Sequence, residues 1–93
     1  MSSFSYKLPK VGKNEFPSIQ KPATAKITLV QPKQGEIQII GNSDGLLYLA
    51  KHFVAMGLIQ SKNDPGFHVH MDAEAGELDV DSLSVTIQNT DLD

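Results

Sequence analysis

The residues best suited to chemistry are His68 and His70, which flank Val69 and are followed by Asp72 and Glu74. On a strand, residues two apart share a face, so His68, His70 and Asp72 are expected to project together. Two imidazoles and a carboxylate form a metal-ligand set. The competing reading, which we favour, is two polar residues on the strand face turned away from the core. Ser43 and His52 do not make a nucleophile pair. Ser43 occupies a helix-capping position, and His52 lies more than two helical turns further on. No G-x-S-x-G, phosphate-loop or dinucleotide pattern occurs. Asp79 and Asp81 are paired carboxylates, but they stand in an acidic run that reads as solvated. The expectation is no catalysis, no cofactor and no metal.

Part of the His-x-His run is similar to the metal motif of the cupins. The glycines which that pattern asks for before the first His and after the Glu are Lys62 and Asp81 here. The chain also has too few strands for a double-sheet barrel. A metal-binding module of that kind is therefore the weaker alternative.

Bulk properties narrow the classes further. The chain has 93 residues, 40% of them hydrophobic and 20% charged, which suits one folded domain. There is no cysteine, so disulfides, thiolate zinc sites and a Cys nucleophile are excluded. No apolar stretch approaches the ~20 residues that span a bilayer, and no secretory signal is visible. A cytoplasmic protein without a membrane partner is expected. The net charge of -3 hides an asymmetry. Residues 1–33 hold six Lys against one acid, and residues 34–93 hold two Lys against ten acids. All eight basic residues are Lys. Arg is the usual choice for bidentate phosphate and base contacts, so its absence argues against nucleic acid. An acidic folded part fits either a basic partner or simple solubility.

The elements that must position these residues follow from periodicity. Residues 1–24 carry Pro9, Pro17 and Pro22 and no lasting period, and read as an extended or partly ordered arm. Phe4, Tyr6, Leu8 and Val11 could let part of it dock as an edge strand. Residues 25–93 form the single α+β domain. Ala25, Ile27 and Leu29 alternate with polar neighbours. Pro32-Lys33-Gln34-Gly35 makes a turn, and Ile37 and Ile39 alternate again, which together predict a β-hairpin. From about Asp44 to Met56 the period becomes helical, with Ser43 as N-cap and Gly57 as C-cap. The expected core stripe is Leu46, Leu49, Ala50, Phe53 and Val54, leaving Asp44, Tyr48, Lys51, His52 and Ala55 outside. Lys62-Asn63-Asp64-Pro65-Gly66 is a turn cluster. Phe67, Val69 and Met71 share one strand face, and Leu83, Val85 and Ile87 give a last strand. The fold class is α+β: a small antiparallel sheet in β-β-α-β-β order with one helix on one face. That helix is expected to cover Ile27, Leu29, Ile37, Ile39, Val69, Met71, Val85 and Ile87.

Three segments then read together: Gly35-Glu36-Ile37-Gln38-Ile39-Ile40-Gly41 leading into Ser43-Asp44-Gly45-Leu46-Leu47-Tyr48-Leu49-Ala50, His68-Val69-His70-Met71-Asp72, and Leu83-Ser84-Val85-Thr86-Ile87. Over about residues 25–89 the chain resembles the bacterial polymorphic-toxin immunity proteins of the immunity protein thirty-two type. The resemblance implies a cytoplasmic toxin inhibitor, encoded beside a secreted or contact-delivered toxin, that acts by binding. It brings no catalytic residues. An acidic inhibitor suits a toxin with a basic surface, because opposite charge speeds association. The residues expected to meet such a partner are Tyr48, His52, His68, His70, Asp72, Glu74, Glu77, Asp79 and Asp81. The chain is expected as a monomer or homodimer. The other alternative is a small dimeric structural or interaction domain that uses an exposed sheet face.

Overall fold

A computed structural model describes residues 2–11, 15–59 and 66–92. The turn expected at Lys62-Asn63-Asp64-Pro65 lies outside the described residues. The element order is β1 (Ile27–Lys33), β2 (Glu36–Gly41), α1 (Ser43–Leu58), β3 (His68–Met71), β4 (Val85–Gln88) and a 3-10 turn at Thr90–Leu92. The α+β class and the β-β-α-β-β order hold. The strands, however, form two separate antiparallel pairs, β1 with β2 and β3 with β4, in place of one sheet.

Local chemistry explains the first pair. Gly35 takes φ 85°, a left-handed value that favours glycine, and closes a turn across which Lys33 Nζ and Glu36 Oε2 lie 3.6 Å apart. The ladder shifts register between Val30 and Lys33, where Pro32 has no N–H to give it. Directly opposed residues share a face, and Leu29 opposes Ile39 while Ile27 opposes Gly41.

The helix starts on Asn42, one residue before the expected Ser43. Asn42 Oδ1 accepts from the backbone N–H of Gly45 at 2.8 Å and of Lys26 at 3.0 Å. Its Nδ2 donates to Thr24 O at 2.7 Å. One side chain thereby satisfies a helix N-terminus and ties it to the start of β1. Gly57 does not stop the helix, which runs to Leu58 with Ile59 as its cap. Asn89 Nδ2 donates to Met56 O at 3.0 Å, so the last turn is bound by the chain beyond β4.

The buried helix face is Gly45, Tyr48, Leu49, His52, Ala55 and Met56. It joins Ile27, Leu29, Met71, Leu78, Ile87 and Leu92 in the core. This corrects the expected stripe: Leu46 and Phe53 are exposed, and Tyr48, His52 and Ala55 face inward. Ile37 and Ile39 are corrected too, at 56% and 48% exposed. Ile39 sits on the helix-side face, as its pairing with Leu29 requires, but α1 leaves β2 at Asn42 and crosses towards β4. The far strand therefore stays uncovered. Val69 and Val85 pack partly buried against the core. Within residues 1–24 the described residues form no strand, and Val11, Phe16 and Ile19 pack against the core from the arm.

Leu83 also departs from expectation, because β4 begins at Val85. The segment before it serves a different purpose. Asp79 N donates to Ile27 O at 2.9 Å and Leu83 N to Leu29 O at 2.8 Å, while Leu29 N donates to Ser82 Oγ at 2.9 Å. Residues 79–83 thus satisfy the outer edge of β1, although they are not themselves a strand. No helix among the described residues is long and apolar enough to cross a membrane.

Candidate functional site

The acidic segment from Asp72 to Asp81 is a folded loop. Asp72 Oδ1 accepts from Ala75 N at 2.7 Å, closing a tight Asx-type turn. Glu77 Oε1 accepts from Asp72 N at 3.3 Å, and Lys21 Nζ reaches across from the arm to Gly76 O at 2.9 Å. Leu78 is buried and anchors the middle of the segment. Asp79 Oδ2 accepts from Thr28 Oγ1 at 3.2 Å. Asp81 has φ 75°, a conformation that Asp tolerates better than most residues. Glu74 and Asp81 are exposed, whereas Asp72, Glu77 and Asp79 are half-buried and already bonded. Asp72, Glu74, Ser82 and Ser84 line a shallow cleft beside the segment.

The two strand histidines are exposed on β3 and lie next to this loop. His68 Nδ1 lies 2.8 Å from Gly66 O and so carries its proton there, since a carbonyl only accepts. His70 Nε2 lies 3.1 Å from Asp72 Oδ2, and its Nδ1 lies 3.3 Å from Thr86 Oγ1. The expected trio therefore divides: His70 and Asp72 meet, and His68 turns to the backbone. Among the described residues no three His, Asp or Glu side chains gather as a metal ion would need.

Tyr48 and His52 are not on this surface. Each is 4% exposed, which corrects their expected place on the outer helix face. His52 lies under Phe16 of the arm, with ring centroids 6.0 Å apart, and meets Tyr48 edge-on at 4.7 Å. Its Nδ1–H donates to Tyr48 O at 2.9 Å. Burial lowers the His52 pKa, against smaller upward pulls from the Tyr48 carbonyl and the charge of Glu77. Burial and Glu77 together raise that of Tyr48.

A pH dependence follows from this arrangement. The unfolded chain takes up a proton at His52 near the ordinary value of about 6.5, and the folded chain does so only at lower pH. Between those values the unfolded state binds more protons, so stability is full above about pH 6.5 and declines as pH falls towards the folded value. Urea unfolding measured at intervals from pH 7.5 to 5.0 should show that decline, and His52→Gln should flatten it. An equal slope in both proteins would place the titrating group elsewhere.

Residues 36–90, more than half of the chain, match a family model described as Immunity protein 32. The chain belongs to the Immunity protein 32 family. The match takes in β2, α1, β3, the acidic segment and β4. Strand β1 and the arm fall before it, so the Immunity protein 32 match includes the loop that covers β1 but not β1 itself. No curated protein and no solved structure gives a match. Sequence reasoning missed two contributors to the geometry of this Immunity protein 32 chain. Asn42 joins the helix to β1, and Thr28 holds Asp79 from a distant strand. The Asn-Ser-Asp-Gly run was a signal for the first, whereas nothing local pointed to the second.

Proposed function

We propose that this chain binds and neutralises a cognate protein toxin with a basic surface, in the cytoplasm of the cell that makes the toxin, and that it acts without catalysis. Family membership supports the class of function. The observation that carries the docking surface is the acidic segment. It bears five carboxylates within ten residues and no Lys, and its backbone is fixed by bonds to β1 and the arm. Packing like charges together disfavours a compact loop, so an ordered acidic ridge suits a partner that compensates it. Glu74 and Asp81 lead this surface, with Asp72 and Asp79 behind them and His68 and His70 alongside. Tyr48 and His52 support it from within the core.

Two measurements test the proposal. Co-expression should rescue the growth of cells carrying the toxin encoded beside this chain; failure of rescue and of complex formation would end the reading. With the complex in hand, the association rate should fall at least about tenfold between low and physiological salt, as charge-steered encounters do. Glu74→Gln combined with Asp81→Asn should slow association several-fold and change dissociation little, because peripheral charges act mainly on encounter. A rate insensitive to both salt and substitution would move the interface off the acidic segment.

A further inference from the structure

Val80 is 80% exposed, whereas the other exposed large apolar side chains among the described residues lie between 40% and 56%. It stands at the tip of a tight turn in which Ser82 N donates to Asp79 O at 3.1 Å. Bonds to β1 hold that turn in place. Asp79 N and Leu83 N donate to Ile27 O and Leu29 O, Ser82 Oγ accepts from Leu29 N, and Asp79 Oδ2 accepts from Thr28 Oγ1. Asp81, next to Val80, has φ 75° in the third place of the turn, where Gly or Asn is the usual occupant. A carboxylate is kept there against local preference. The fold draws little from Val80, because a side chain this bare contributes little to stability and a polar one would serve the turn as well. What Val80 supplies is an ordered apolar knob in an acidic frame. Asp79 and Asp81 flank it, and Ser82 of the same turn lines the shallow cleft shared with Asp72 and Glu74.

We propose that Val80 is the apolar anchor of the toxin interface, seated on binding in a shallow apolar pocket that the toxin rims with Lys or Arg. The proposal rests on the toxin-binding reading above and names the residue that holds the complex once charge has assembled it. Peripheral carboxylates act on encounter, and a buried apolar contact acts on dissociation. Because β1 already fixes the turn, little chain entropy is lost when its tip is seated.

Charge chooses the occupant. A second copy meeting this one tip to tip would set Asp79 and Asp81 against their own counterparts. An anionic membrane or a nucleic acid would meet the same repulsion. A basic protein is drawn to the tip instead, and its cations compensate the two carboxylates while Val80 is covered. The interface then has an apolar centre and a charged rim, the usual division between the core and the edge of a protein contact.

The test is to measure both rate constants for the full chain and the toxin encoded beside it, by surface plasmon resonance. Val80→Ser should raise the dissociation rate about tenfold, the loss expected when most of a buried Val side chain is removed. The association rate should change by less than about twofold, the reverse of the pattern expected for Glu74→Gln with Asp81→Asn. Ile37→Ser, an equally apolar loss on the exposed strand β2, should leave both rates alone. Thermal melts should show Val80→Ser as stable as the wild type, so that weaker binding is not a loss of fold. An unchanged dissociation rate in an intact complex would overturn the proposal and leave the acidic docking surface standing. So would a melting point for Val80→Ser well below that of the wild type, which would place the side chain in the core. Self-association of the free chain that Val80→Ser abolishes would also overturn it, by giving the tip to a second copy. A wild-type chain that forms no complex would end both this proposal and the toxin-binding reading beneath it.

Discussion

Gly45→Ala should destabilise the protein by about 3 kcal/mol, the upper part of the range for overpacking a tight contact. A methyl group there would stand 2.5 Å from the Lys26 carbonyl carbon and closer still to its oxygen. Backbone cannot swing aside as a long side chain can, and Lys26 is also held by Asn42. Relief would mean lifting the first turn of α1 off β1. Gly57→Ala, in the same helix, should have the opposite sign. Nothing lies within 4 Å of a Cβ at Gly57, so the change should stabilise by about 0.5–1 kcal/mol through helix propensity. Urea midpoints for the two variants check both signs in one experiment. A neutral Gly45→Ala would mean that α1 does not approach β1 this closely.

Tyr48→Ala should cost about 3–5 kcal/mol, the loss typical of a large aromatic side chain removed from a core. Tyr48 packs with Leu49, Met56 and Ile27 in the core cluster and supports His52 edge-on. Against the small total stability of a domain this size, that loss would leave little folded protein at body temperature. Phe53→Ala should cost no more than about 1 kcal/mol, because the ring is 52% exposed. Thermal melts of the pair decide which helix face is buried. A Phe53 variant as damaged as the Tyr48 variant would rotate the helix back to the stripe that periodicity suggests.

That stripe misleads for a physical reason. Leu46, Leu47, Leu49, Ala50, Phe53, Val54, Ala55, Met56 and Leu58 wrap most of the helix, so hydrophobicity alone does not choose a face. The face is chosen by Gly45, whose missing side chain lets the helix start touch β1. Tyr48, His52 and Ala55 follow Gly45 around to the same side. The polar tips of Tyr48 and His52 argued for solvent, yet the His52 ring meets its need with a carbonyl one turn back. The hairpin, the helix span and the order of elements were legible because each depends on neighbours in the chain. The ordered frame of the acidic segment was not, because it depends on Thr28, Ile27 and Leu29, which lie some fifty positions earlier. Counting carboxylates gave the charge of the segment but could not tell a solvated loop from a bonded ridge.

The lacing of residues 79–83 onto β1 also bears on how the chain reaches its fold. A two-stranded ribbon is at best marginal in water, so β1 and β2 gain little by pairing early. Thr28 and Leu29 meet their partners only after closing loops of 51 and 53 residues. Such closures lose chain entropy before any contact repays it, which slows folding relative to a helical domain of equal size. During synthesis the open side of β1 would wait for residue 83 to leave the ribosome. The nascent hairpin would spend that interval with its β1 flank bare, and the acidic ridge that follows would arrive as the piece that covers it.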